Sequence, residues 1–307
     1  MKKIPFLSFI AAGVFFIVLS FDFLAYCVDH FSEVRKQQKF LNQYNFVTPS
    51  QNFKYNFKLK DFDKDFYLNV SENSQYRLPV NTASPLSPVF LFGCSFAYGA
   101  YLDLNDTFGA KIAEATNRPV YNFAAPGRGI QHMLFLLENY NFSNLKAPEY
   151  VVFVYYDDHI RRMNAKWFLA TDNNANLVYK KTGDKLVSYN PFSCFFIYRK
   201  ISAILNSYKS SSPYFKTDYF NRFVEYISVI NHIIKKKWPN SKFIILKYQT
   251  DPRMSFDWSA VEKIGIPVYD VNDYINLSED KYSLPDKHPS ALAWKEITPK
   301  FVKNTGM

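Results

Sequence analysis

With 307 residues and 48% hydrophobic content, including 31 Phe and 23 Tyr, the chain is too apolar to remain disordered and long enough for one large domain or two small ones. Lys and Arg outnumber Asp and Glu by 37 to 27, a formal net charge of +10, yet no zinc-finger, arginine-rich or aromatic-basic strand pattern accompanies the excess, which argues against a nucleic-acid partner and for a solvated basic surface near an anionic membrane or glycan. Three cysteines (Cys27, Cys94 and Cys194) make no disulfide framework, and His132 and His159 lack a second Cys or His at ligand spacing, so neither a metal nor another cofactor is expected.

Residues 4–21 are uncharged and strongly apolar, Lys2 and Lys3 precede them, and the apolar character continues through residues 23–28. That length crosses a bilayer if Asp22 lies near an interface, so residues 1–30 are expected to form a signal anchor, an N-terminal transmembrane helix. A cleaved signal peptide needs small residues at its processing site, and Ala25-Tyr26-Cys27 offers a poor one. Tyr26 also spoils a lipoprotein signal. Lys2 and Lys3 favour an inside amino terminus, whereas Arg35, Lys36 and Lys39 pull the other way. Residues 31–44 read as a short polar helix. Residues 45–87 alternate polar and aromatic side chains (Phe53, Tyr55, Phe57, Phe62, Phe66, Tyr67), the pattern of extended segments in a stem, 31–85, that packs on the main domain, 86–307. The proline-containing run 78–88 marks the boundary.

From there strands and helices alternate. Residues 89–92 form a first strand, and Asp106 is placed to cap a helix over 107–116. A second strand at 120–123 leads through a glycine loop to a helix at 130–140. The Val/Phe/Tyr run 150–156 is a third strand of the kind buried on both faces. An insertion at about 165–213 carries a hairpin (177–180 with 185–189) and ends in the Ser-rich break 207–212. A long amphipathic helix at 214–237 ends in Lys235-Lys236-Lys237, which complement its dipole. Strands at 242–248 and 266–271 follow, with a short helix at 257–264 between them. A final helix is expected over 289–302, with Pro289 at its first position. Alternating strands and crossovers imply a three-layer α/β/α domain with a mainly parallel five-stranded sheet.

Two stretches carry chemistry. Gly93-Cys94-Ser95-Phe96-Ala97-Tyr98-Gly99 directly follows the first strand, so a break at Gly93 presents Ser95 at the carboxyl edge of the sheet, where open α/β sheets place their sites. Pro285-Asp286-Lys287-His288-Pro289 puts an Asp two residues before a His, able to orient the imidazole while its other nitrogen takes a proton from Ser95. Cys94 alternates away from the face that exposes Ser95 and reads as a buried small residue.

These blocks resemble the SGNH (GDSL-like) hydrolase family over about residues 89–303. The Gly-Asp-Ser block reads Gly-Cys-Ser here, with Cys94 in place of the Asp. The second block is similar to Tyr121–Gln131, where the resemblance assigns Gly127 an oxyanion-hole N–H beside that of Ser95. The third block, normally Gly-x-Asn-Asp, corresponds to Tyr155-Tyr156-Asp157-Asp158-His159, and Asp157 takes the position of the oxyanion-hole asparagine. An ionised carboxylate cannot donate there unless burial keeps it protonated. Asn122, Arg128 and Gln131 surround the second block, as loop braces or as substrate contacts, with Arg128 suited to an anionic group. Arg161 and Arg162 read as counter-charge to Asp158.

The resemblance implies a flavodoxin-like sheet of SGNH hydrolase type and a serine esterase with Ser95 as nucleophile, His288 as base and Asp286 as its orienter. Since anchored members often modify envelope polymers, it implies O-acyl, above all O-acetyl, esters on envelope or extracellular glycans as substrate. The same site could serve an O-acyltransferase, and Asp157 leaves open a non-catalytic glycan-binding module. The body is expected on the periplasmic or extracellular side.

Overall fold

The computed structural model describes residue 20 and residues 50–59, 62–71, 77–163, 179–182, 185–188, 213–251, 254 and 256–307. The expected membrane span at 4–28, apart from residue 20, the polar helix at 31–44 and the stretch 189–212 of the insertion lie outside these. Among the described residues no helix is long and apolar enough to cross a membrane.

Strands β1 (Ser50–Leu59) and β2 (Phe62–Ser71) pair antiparallel, the extended structure that the aromatic alternation predicts. The body then runs β3 (Val89–Gly93), α1 (Ser95–Tyr98), α2 (Phe108–Thr116), β4 (Val120–Asn122), α3 (Ile130–Asn139), β5 (Tyr150–Tyr156) and α4 (Asp158–Arg162). The insertion contributes the antiparallel pair β6 (Tyr179–Thr182) and β7 (Lys185–Ser188). Helix α5 (Pro213–Lys237), β8 (Lys242–Tyr248), α6 (Ser259–Glu262), β9 (Val268–Asp270) and α7 (Ala291–Thr305) complete it.

The five central strands are all parallel, in the order β4-β3-β5-β8-β9. This is the flavodoxin-like order, in which the chain reverses direction of growth between the first strand and its two neighbours. Strand period two divides the core into two layers. Phe90, Phe92, Val151, Phe153, Phe243 and Ile245 face one side. Val89, Leu91, Val152, Val154, Ile244 and Leu246 face the other. The first layer is closed by α3 through Ile130, Met133, Leu134 and Leu137, and by α5 through Phe220, Phe223, Ile227, Ile230 and Ile234. Both sets follow the three-and-four spacing of one helix face. Helices α2 and α7 close the second layer, where Phe108 stacks on Trp294 at 4.6 Å.

Two caps differ from the sequence expectation. Thr107, not Asp106, caps α2, its hydroxyl accepting from the Ala110 N–H at 3.3 Å, because residues 104–106 turn in a short 3₁₀ segment first. Ser290, not Pro289, opens the last helix: its hydroxyl accepts from Ala293 N–H at 3.2 Å, while Pro289 pairs in a short bridge with Ser283.

Residues 77–88 pack against the body. Val80 and Val120 exchange backbone hydrogen bonds along the outer edge of β4, Asn81 donates to Asn117, and Glu149 N–H donates to the Pro88 carbonyl. Arg77 is 1% exposed inside the domain.

Candidate active site

Strand β3 ends at Gly93 with φ +148, a conformation L side chains rarely adopt, and a Cβ there would lie 2.9 Å from Ala97 Cβ and 3.0 Å from the Val154 carbonyl oxygen. Glycine lets the chain leave the sheet at this tight approach. Cys94 then turns into the core, fully buried, and Ser95 opens α1 with its side chain at the carboxyl edge, partly accessible. The Ser95 carbonyl accepts from Gly99 and Ala100 N–H at 3.0 and 2.9 Å, which closes the turn beneath it.

The second stretch is held as a compact loop. Lys287 N–H donates to Leu284 O at 2.8 Å, and Leu284 N–H returns a bond to His288 O at 2.7 Å. Lys287 itself sits at φ +71, which folds the chain back so that its two neighbours address one another. Asp286 Oδ1 accepts from the His288 backbone N–H at 3.2 Å, and Oδ2 lies 2.7 Å from His288 Nδ1. His288 Nε2 lies 2.8 Å from Ser95 Oγ across 193 residues of sequence. A carboxylate only accepts, so the ring proton belongs on Nδ1 and the Nε2 lone pair faces the serine hydroxyl. Burial pushes the Asp286 carboxyl up, but the hydrogen bond and charge of His288 and its backbone N–H outweigh this and hold it below the usual carboxylate range. The imidazole contacts Phe96, at 5.1 Å, and Tyr101, edge-on at 5.3 Å; neither ring is singled out by the sequence pattern.

Strands β4 and β5 flank β3, so the turns that follow them stand on either side of Ser95. After β4, Gly127 turns with φ +73 in open space. Among the described residues neither its N–H nor that of Ser95 has a protein acceptor. The polar residues of this loop act mainly on the frame. Asn122, 3% exposed, donates to the Ala97 carbonyl at 2.8 Å and accepts from Ala124 N–H at 3.0 Å, tying the loop to α1. Gln131, 1% exposed, donates to the Arg162 carbonyl at 3.0 Å, and the Arg162 guanidinium donates to the Arg128 carbonyl at 2.8 Å. Arg162 also pairs with Asp158 at 3.4 Å, the counter-charge expected of it. Arg128 Nη1 lies 3.1 Å from His132 Nε2. Asn122 and Gln131 therefore make the hydrogen bonds of loop braces, while Arg128 is half-buried at the rim.

After β5, Asp157 is 2% exposed. Its Oδ2 accepts from Thr250 N–H at 2.9 Å, Asp251 N–H at 2.8 Å and the Thr250 hydroxyl at 3.3 Å. Oδ1 is buried and has no hydrogen-bond partner among the described residues. Burial raises this carboxyl's pKa, and the three donors only partly offset it. Two residues on, fully buried His159 accepts at Nδ1 from Tyr156 N–H, and burial followed by the Arg162 charge lowers its pKa well below the usual histidine value. It is a neutral core residue. Among the described residues no group of three or more His, Cys, Asp or Glu could hold a metal ion.

No protein-family model matches this chain, and no curated protein matches it. Several solved structures are similar at low identity. An acetyl xylan esterase from Butyrivibrio proteoclasticus is 11% identical, with a TM-score of 0.42 over 71% of this chain and 64% of its own, so this chain spans less than two thirds of that protein. A family two carbohydrate esterase from Clostridium thermocellum, in complex with cellohexaose, is 11% identical with a TM-score of 0.41, covering 72% of this chain and 65% of that one. A variant of an acetyl-xylooligosaccharide esterase from Geobacillus stearmophilus is 13% identical with a TM-score of 0.41, covering 72% and 94%.

Proposed function

We propose that the protein is a serine ester hydrolase that removes O-acyl groups, chiefly O-acetyl, from glycans. One observation carries this reading: the continuous hydrogen-bonded line from Ser95 Oγ through His288 to Asp286, with spacings of 2.8 and 2.7 Å at a partly accessible sheet edge. In the proposed reaction His288 Nε2 takes the Ser95 proton as Oγ attacks the ester carbonyl. Asp286 fixes the imidazole tautomer and stabilises the imidazolium that forms. The N–H groups of Ser95 and Gly127 receive the oxyanion. The imidazolium then returns its proton to the leaving alkoxide, and water, activated by the same nitrogen, resolves the acyl-enzyme. Loss of one oxyanion donor typically costs about 3 kcal/mol in the transition state, so a site with Asp157 in the asparagine position turns over slowly rather than not at all.

The glycan substrate and the envelope location are supported by the family resemblance of the Ser95 and His288 blocks, by the apolar N-terminal run after Lys2 and Lys3, and by the basic surface. Full-length protein should hydrolyse p-nitrophenyl acetate and label with a fluorophosphonate. Ser95→Ala should lose both, with activity falling roughly a thousandfold or more. Equal hydrolysis by the two proteins would sink the nucleophile assignment. A second reading, a non-catalytic glycan-binding module, is favoured by the buried carboxyl of Asp157 in the asparagine position. Glycan affinity without fluorophosphonate labelling would select it. Acyl groups appearing on an added oligosaccharide, instead of free acetate, would make the same site a transferase. A reporter active only after export, fused after residue 60, tests the envelope location, and its inactivity beside an active cytoplasmic reporter would overturn it.

A further inference from the structure

Tyr101 stands on the loop that leaves α1, with φ +62. A bulky residue rarely adopts this left-handed conformation, and it persists where the surroundings over-determine it, most often at functional sites. Here the surroundings are identifiable. The guanidinium of Arg77, buried and reaching in from the segment before β3, donates to the Gly99 carbonyl at 2.7 Å and to the Leu102 carbonyl, the residues that bracket Ala100 and Tyr101. Arg77 also lies 5.1 Å above the Tyr98 ring. Ala100 N–H is fixed to the Ser95 carbonyl, and Leu102 N–H to Gly99 O at 3.2 Å. Both ends of a strained two-residue step are thus tied, one to the serine turn and one to a buried cation.

What the strained step presents is the Tyr101 ring, nearly perpendicular (85°) to the His288 imidazole at 5.3 Å. The imidazole also meets Phe96 at 5.1 Å, itself stacked on Tyr156 at 4.0 Å. Hydrogen bonds at Nδ1 and Nε2 orient the imidazole within their angular tolerance, and the neighbouring aromatic rings narrow the tilt that this tolerance leaves. We infer that Tyr101 is a positioning residue that sets the plane of the His288 imidazole, and that Arg77 holds Tyr101 in place, so that a residue outside the α/β alternation reaches the proton-transfer step. The inference rests on the reading of Ser95 and His288 as nucleophile and base.

Tyr101→Gly separates positioning from folding, because glycine adopts φ near +60 without strain and the variant loses the ring while keeping or gaining stability. The expected result for full-length Tyr101→Gly is an unfolding midpoint at or above wild type, kcat for p-nitrophenyl acetate lower by about tenfold to a hundredfold, and KM within about twofold. Tyr101→Phe, which keeps the ring, should restore kcat. Arg77→Met should reproduce the kcat loss; if it fails to fold, the two Tyr101 variants decide. The His288 Nδ1–H proton resonance gives a readout independent of substrate: sharp and downfield in wild type and Tyr101→Phe, broadened or lost in Tyr101→Gly. Unchanged kcat with an unchanged resonance in Tyr101→Gly overturns the inference. A wild type without esterase activity whose resonance still depends on the Tyr101 ring would reject the ester-hydrolase reading and leave the positioning role standing.

Discussion

At residue scale the two carboxylates near Ser95 have opposite energetics. Asp157 is buried with its pKa raised, and Oδ1 lacks a partner among the described residues. Its folded-state proton affinity exceeds that of the unfolded chain, so the associated stability is present below the usual Asp value of about 3.9 and is lost as pH rises through the raised value. Asp157→Asn keeps an oxygen for the Thr250 and Asp251 N–H groups, removes the buried charge and adds an amide donor. It should therefore be more stable than wild type at pH 7, with the gap closing as pH falls through the raised Asp157 value and closed by about pH 4, read from urea midpoints across pH. Its esterase activity should rise. A variant less stable at neutral pH would refute the account. Asp286 has the reverse sign: its pKa is lowered, so its contribution is present above about pH 3.9 and lost as pH falls through the lowered value. Asp286→Asn should lose kcat by roughly 10³–10⁴-fold, and its stability deficit should shrink below pH 4. The meeting of Ser95, His288 and Asp286 was legible because each lies in a short local pattern. Tyr101 and Arg77 were not, since neither left-handed backbone nor a long-range guanidinium clamp leaves a mark in residue type.

At element scale the expected strands at 89–92, 150–156 and 242–248 match the structure closely, because continuous Val, Ile, Phe and Tyr runs of that length fit strands buried on both faces. The last strand is shorter than expected, Val268–Asp270, at an edge where its residues are only half-buried and the apolar signal is diluted. The helix ends shifted because Asp, Thr, Pro and Ser cluster at both starts, and the choice among them depends on which hydroxyl reaches a free N–H. The turn after β3 gives the sharpest test of an element junction. Gly93→Ala forces an L side chain to φ +148 against the Val154 carbonyl. The backbone conformation alone should cost about 1–3 kcal/mol, seen as a lower urea midpoint, and activity should fall with the displaced Ser95. Retention of both would mean that the turn has slack the geometry does not show.

At the scale of the whole molecule the composition of the proline-bearing run 78–88 reveals where the chain bends but not what it bends around. Its partners are distant in sequence: Lys146 donates to the Pro85 carbonyl at 2.6 Å, and Arg118 donates to that of Ser87 at 3.0 Å and pairs with Glu149 at 2.7 Å. The parallel sheet and its two core layers were legible. The reach of the N-terminal segment into the site was not.

The pairing of Val80 with Val120 has a consequence for how molecules meet one another. Strand β4 is the last in its sheet, and a terminal strand with open N–H and C=O groups is a template for a second chain. Val80 occupies that template, and Pro79 beside it has no N–H with which to extend the pairing outward. A chain begun at residue 86 would uncover the edge, and it should elute as higher oligomers in light-scattering chromatography where a chain begun at residue 72 stays in its full-length state. A single monodisperse peak from the shorter chain would show that the edge is harmless when bare. If it is not, the strap before β3 acts as a guard against self-association, and its loss through proteolysis would be felt first as precipitation.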